Sequence, residues 1–185
     1  MAFIVVYDAN VLYPNVVRDL LIRIAQAGLV QAKWTETILD ETFAALAATM
    51  PSVRPDRWKR VRGLMTHAIR DGMVVNYEPL VDVVMGLPDQ GDRHVVAAAI
   101  RCKAQVIVTD NIRDFPNDAL AIWNIESKTA DEFVLDQINL DSRTVYSAVH
   151  QIADSWSNPP GTVEDVLRAM SRAGLVESAA ALTSG

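Results

Sequence analysis

Residues 4–12 read Ile-Val-Val-Tyr-Asp-Ala-Asn-Val-Leu. Four apolar residues, with no polar interruption, run into Asp8. An alternating strand has one wet face, whereas a strand apolar throughout is covered on both, as in a parallel sheet flanked by helices. The same signature returns at Gln105–Thr109, which runs into Asp110, and in shorter form at Gln31–Trp34, Met73–Val75 and Ala121–Asn124. Between these runs the apolar spacing becomes helical. Asn15–Ala27 carries Val16, Val17, Leu20, Leu21 and Ile24 on one side and stops at Gly28. Glu36–Thr49 lies between Thr35 and Pro51, Pro55–Asp71 closes at Gly72, and Asp92–Cys102 is rich in alanine and valine. This alternation predicts a three-layer α/β/α fold around a central, mostly parallel sheet of about five strands.

From Asp141 onward the strand signals stop. Helices are predicted over Asp141–Trp156, from the capping Thr162 to Gly174, and over Val176–Leu182, with Ser157–Gly161 as a break. The chain therefore divides into a main domain, 1–140, and a helical extension, 141–185. The extension is too short to be secure alone and is expected to pack on the main domain, a partner or a second copy.

Seventeen basic against 23 acidic residues leave a net charge of −6 over 185 residues. That is the reverse of the usual nucleic-acid footprint, although net charge does not say where the charges sit. The lone Cys102 excludes an internal disulfide and a multi-cysteine zinc site, and His67, His94 and His150 match no zinc spacing. Phe3–Tyr7 is too short for a signal peptide, and no stretch nears the roughly 20 apolar residues of a membrane span. A soluble cytoplasmic protein with no membrane association is expected.

In parallel sheets, ligands bind at the carboxyl ends of the strands. Asp8 and Asp110 each follow a strand there, and Asp114 comes four residues after Asp110. An Asp in that place also starts turns. Asp92 opens a helix after Leu87-Pro88-Asp89-Gln90-Gly91, where a cap or first-turn acid is the simpler reading. Glu41 lies in the Glu36–Thr49 helix, near the edge of its apolar stripe or on its solvated face. Together these acids gather near one sheet edge. Converging carboxylates repel unless a cation joins them. Hard oxygen donors without Cys or His select Mg²⁺ or Mn²⁺, and such sites work on phosphate esters.

Four stretches carry a resemblance. They are Ile4–Leu12, Thr35–Glu41 with its acid-rich helix start, Pro88–Ala99 with Asp92 ahead of an alanine run, and Val106–Pro116, which reads strand, Thr109, Asn111, Asp114, Phe115. In order and spacing they resemble the PIN-domain ribonucleases over residues 3–135, with the flavour of the VapC-like toxins of bacterial toxin–antitoxin pairs. The resemblance implies Asp8 and Asp92 as direct metal ligands. It implies Glu41 and Asp114 as ligands of a second metal, holders of water, or base, with Asp110 sharing or replacing the role of Asp114. Asn10, Thr109 and Asn111 would orient the carboxylates by hydrogen bonds. It further implies an Mg²⁺- or Mn²⁺-dependent endoribonuclease. Metal-activated water would attack phosphorus in line, leaving a 5′-phosphate and a 3′-hydroxyl. An RNA substrate, a cognate antitoxin offering an Arg to the acidic pocket, and a homodimer complete the expectation.

Arg54, Arg57, Lys59, Arg60 and Arg62 crowd one helical stretch against Asp56 alone. They read as an RNA-phosphate edge, a dock for an acidic partner segment, or a solvated face. Arg93 and Arg113 flank the acids and read chiefly as neutralisers. Asp89 reads as a turn residue, and His94 as packed or solvated, although it could reach the site. Trp34, Trp58 and Trp123 read as packing residues, Trp156 as an anchor for the tail's turn, and Cys102 as a small buried hydrophobe.

Two alternatives stand beside the nuclease. One is a catalytically silent PIN-fold binding module, against which all four acid positions are filled. The other is a haloacid-dehalogenase-like phosphatase, which needs an acid two residues after Asp8, where this chain has Asn10. The charge then reads differently. Without Asp8, Glu41, Asp92, Asp110 and Asp114, the 18 remaining acids nearly balance the 17 bases.

Overall fold

The computed structural model describes residues 3–183. Four strands, β1 (Phe3–Tyr7), β2 (Val30–Lys33), β3 (Val106–Val108) and β4 (Glu126–Lys128), form one parallel sheet in the order β2-β1-β3-β4. Val5 stands opposite Ala32 on one side and Val106 on the other, and Val106 opposite Glu126. Helices α1 (Ala9–Leu12) and α2 (Asn15–Gln26) join β1 to β2. Helices α3 (Glu36–Thr49), α4 (Pro55–Ala68) and α5 (Arg93–Cys102) lie between β2 and β3, and α6 (Asn117–Leu120) between β3 and β4. The path from β1 to β2 crosses the sheet one way and that from β2 to β3 the other. Right-handed connections then put α2 and α5 on opposite faces, which makes three layers. Val5, Val6, Tyr7, Ile107 and Val108 are fully buried between them. The continuous apolar runs record that double covering.

Arg18, a buried base on α2, shows how tightly the first connection is made. Its guanidinium donates to Leu12 O at 2.7 Å, Tyr13 O at 3.1 Å and Asn15 Oδ1 at 2.7 Å. It thereby satisfies carbonyls at the end of α1 that have no partner within the helix.

Two strand expectations are corrected. Ala121–Trp123 is a 3-10 turn closed by Asn124 at φ 56°, Ile122 is exposed, and the strand begins later, at Glu126. An apolar run of three before Asn124 could not by itself distinguish a turn from a strand. Met73–Val75 forms only a bridge: Trp34 N–H donates to Gly72 O and Val74 N–H to Trp34 O, both at 2.8 Å. Asn76, at φ 58°, ends it. The sheet is thus four strands and one bridging residue among the described residues.

The C-terminal region is α7 (Ala130–Ser155), α8 (Val163–Arg172) and α9 (Val176–Thr183). A capping box of Thr129 and Glu132 starts α7. The expected helix start at Asp141 falls inside α7. There Asp141 leaves helical geometry (φ −153°, ψ 83°) and accepts from Thr144 N–H at 3.1 Å and Thr144 Oγ1 at 2.7 Å. Asp141 is a cap, but one set within a kinked helix whose first half, Ala130–Leu140, was not foreseen. Helix α7 packs on α2, and α8 and α9 pack on α7. Trp156 closes against Gly161, where an added Cβ would stand 2.5 Å from Trp156 Cε3. No helix among the described residues is long and apolar enough to cross a membrane.

Candidate active site

Asp8 follows β1 and Thr109 follows β3, and the pairing of these strands makes them neighbours at the carboxyl edge of the sheet. Asp8 is buried and fully engaged. Its Oδ1 accepts from Ala9 N–H at 2.7 Å, and its Oδ2 from Asn10 Nδ2 and Thr109 Oγ1, both at 2.8 Å. Burial pushes the Asp8 carboxyl above its ordinary range. The hydrogen bonds from Thr109, Ala9 and Asn10 and the nearby His94 oppose that rise. The Thr109 hydroxyl in turn accepts from Asn111 N–H at 3.1 Å, and Asn10 Oδ1 accepts from Asp110 N–H at 3.0 Å. Asn111 Nδ2 donates to Asp114 Oδ2. Asn10, Thr109 and Asn111 therefore each hold an acid or the loop that carries one.

Asp92 occupies the N-cap position of α5, as its simpler reading has it, yet its side chain makes no capping hydrogen bond. Its carboxyl is pushed up to about 6, first by burial and then by the charges of Asp8, Asp89, Asp114 and Glu41. Four acids from separate parts of the chain thus act on one. Asp89 accepts from Gly91 N–H at 2.7 Å and is the turn residue expected. Glu41, exposed on α3, pairs with His94 Nε2 of α5 at 3.0 Å, while His94 Nδ1 is buried without a partner. His94 therefore belongs to the site. Its only sequence signal is its place two residues after Asp92, because its partner lies 53 positions away.

Asp110 is the acid that turns aside. Its Oδ1 accepts from Ala130 N–H at 2.9 Å, at the start of α7. Arg93 and Arg113 form no ion pair among the described residues, and Arg93 Nε is buried without a partner. On α4 and just before it, Arg57, Lys59 and Arg60 are exposed and make no ion pair among the described residues, and Arg54 reaches Asp56 at 3.5 Å. Arg62 instead turns back to α3, pairing with Asp40 at 2.6 Å and with Glu36. It is a brace between helices rather than part of a free basic edge.

Residues 4–113 match the PIN domain, and residues 130–184 match the VapC50 C-terminal domain. The chain belongs to the PIN-domain family. A relative from Mycobacterium tuberculosis, described as "Putative ribonuclease VapC50", is 40% identical over 79 residues, which is 43% of this chain and 47% of the relative. The matched part spans about half the length of that relative. No solved structure matches the chain. PIN-domain membership sets aside the phosphatase alternative, whose second acid would stand where Asn10 instead donates to Asp8.

Among the described residues of this PIN domain, no three His, Cys, Asp or Glu side chains are grouped closely enough to hold a metal as they stand. The donor set nonetheless fits a hard divalent cation. Every candidate ligand is a carboxylate, no thiolate is near, and the like charges that add to the rise at Asp92 are ones a cation would offset.

Proposed function

We propose that the chain is a divalent-cation-dependent endoribonuclease, the toxin of a toxin–antitoxin pair, acting in the cytoplasm. The observation that carries this reading is Asp92, which makes no capping bond of its own and is lifted to about 6, first by burial and then by the charges of Asp8, Asp89, Asp114 and Glu41. Supporting it are membership of the PIN family and the likeness to the VapC50 relative. The nuclease is assigned to residues 1–140, with 141–185 as its extension.

In this reading Asp8, Asp92, Glu41 and Asp114 hold Mg²⁺ or Mn²⁺. When bound, the cation neutralises the phosphodiester and makes water a better nucleophile. The chain's own residues do the rest. Ala9 N–H, Asn10 and Thr109 fix Asp8 in one orientation, so no reorganisation is needed when substrate arrives. His94 pairs with the exposed Glu41 and ties it to α5, the helix that Asp92 heads. Glu41 or Asp114 accepts the proton of the attacking water, and the 3′ oxygen leaves, giving a 5′-phosphate and a 3′-hydroxyl. Asp110 is assigned to the loop rather than to the cation, because its carboxylate is spent on Ala130 N–H. Arg54, Arg57, Lys59 and Arg60 lie along RNA phosphates. An antitoxin segment would silence the enzyme by offering a base to the acids, and a homodimer is the expected assembly.

The test is RNA cleavage with Mn²⁺ or Mg²⁺ by Asp8→Asn and Asp92→Asn. Each should lose more than about a hundredfold, beyond the ~10–100-fold that supporting residues cost. Cleavage at the wild-type rate by either variant overturns the proposal.

A further inference from the structure

The start of α7 is held from two sides by short side chains. On one side is the loop of the active site. Thr109 N–H donates to Lys128 O at 2.9 Å, and Ala130 N–H donates to Asp110 Oδ1 at 2.9 Å. That loop also carries the Thr109 hydroxyl that binds Asp8, and Asp110 N–H binds the Asn10 that does the same. On the other side is the far end of the chain. The Asp131 carboxylate accepts from Glu177 N–H at 2.9 Å, from Ser178 N–H at 2.9 Å and from Ser178 Oγ at 2.6 Å. Ser178 is fully buried, and Ala179 and Leu182 of α9 are buried beside it. Ala130 and Asp131 are consecutive. One peptide unit therefore joins the loop that orients Asp8 to the last helix of the C-terminal region.

We propose that Asp131 is a positioning residue for the active site, through which α9 holds the Thr109–Asn111 loop in working geometry. The inference rests on the nuclease reading above and gives the C-terminal helices a part in it. The first amides of a helix have no partner within it and must find one elsewhere. Helix α9 meets that need with Asp131, and α7 meets it in part with Asp110. Each bond runs through backbone or a short side chain, so the start of α7 cannot shift without moving the loop or breaking one of these contacts. Supporting residues of this kind set the geometry of the groups that do the chemistry.

The experiment uses the full chain and three variants, Ser178→Ala, Asp131→Ala and Asp131→Asn. Mn²⁺ affinity is read by calorimetry without RNA, kcat and KM on a single-stranded RNA, and hydrogen exchange at Asp110 and Ala130. All are measured well below the melting temperature. Asp131→Ala should lower kcat about tenfold with KM unchanged and weaken Mn²⁺ binding several-fold. It should also speed exchange at both amides. Asp131→Asn keeps an acceptor for Ser178 N–H and should recover part of each effect. If Asp131→Ala does not fold, Ser178→Ala, which removes one hydroxyl, carries the test with smaller changes of the same kind. A lower melting temperature with kcat, Mn²⁺ affinity and exchange unmoved means that the contact is only structural, and overturns the inference. If exchange quickens while the wild type neither binds Mn²⁺ nor cuts RNA, the link between α9 and the loop stands and the nuclease reading falls.

Discussion

Replacing Asp92 by Asn should make the cation-free protein more stable while removing its response to a cation. Raising the carboxyl from 3.8 to about 6 corresponds to about 3 kcal/mol at 1.36 kcal/mol per pH unit. Asp92 is only partly buried, and solvent screening reduces that to about 1–2 kcal/mol. The folded value lies above the unfolded one, so the folded state binds the proton more tightly. Asp92 therefore costs stability above pH 6, and the cost is withdrawn as pH falls from about 6 toward 3.8. At pH 7.5 Asp92→Asn should unfold about 1–2 kcal/mol later than wild type, or about 3–6 °C higher for a chain of this size. At pH 4.5 most of that difference should be gone, because folded Asp92 is then almost wholly neutral; the remainder disappears only below 3.8, where the unfolded state is neutral as well. Mn²⁺ at ten times its Kd should stabilise the wild type by about 1.4 kcal/mol and the variant by much less. The assay is urea unfolding at both pH values, with and without Mn²⁺. A variant no more stable at pH 7.5, or one that Mn²⁺ stabilises as much as the wild type, refutes the burial and like-charge environment ascribed to Asp92. The outcome expected is a site that trades stability for function.

Three further perturbations separate parts of the same reasoning. Thr109→Val keeps the buried volume but removes the donor to Asp8 and the acceptor of Asn111 N–H, and should cost about 1–3 kcal/mol. Losing a bond to the charged form raises the Asp8 carboxyl further, so the acid limb of the rate profile should move to higher pH; an unmoved limb counts against the role given to Thr109. Arg57→Glu with Arg60→Glu should weaken RNA binding and flatten its salt dependence by about 1.4 in log–log slope if each base meets one phosphate of a single strand. Arg62→Ala should leave that slope alone and cost at most about 1 kcal/mol of stability, since its pairs with Glu36 and Asp40 lie near the surface. A slope that responds to Arg62 instead would reverse the assignment.

The parts of the fold that could be read in advance are those that local spacing encodes. Strands β1 and β3 are unbroken apolar runs because both their faces are covered. Helix α3 begins and ends where Thr35 and Pro51 bound it. Ala121–Asn124 is a turn and not the expected strand: its three apolar residues satisfy either, and Ile122 lies in solvent. The first half of α7 is hidden in the sequence because Asp141 is a genuine cap, and a cap inside a kinked helix looks the same as one at a helix start.

The same division runs through the site. The sequence by itself determined that the chain is α/β, that Asp8 leaves its first strand, and that Asp92 stands ahead of a buried alanine-rich helix. It also set the expectation of hard-cation chemistry, since carboxylates without thiolates leave few choices. Only the tertiary structure decided which acids act together. It turned Asp110 onto Ala130 and Arg62 onto α3, joined His94 to Glu41, and left Asp92 without a capping bond among four acids. The reason is physical. Periodicity and capping are written within a few residues, whereas a charge responds to its nearest neighbours in space, and most of those here lie far apart in the sequence.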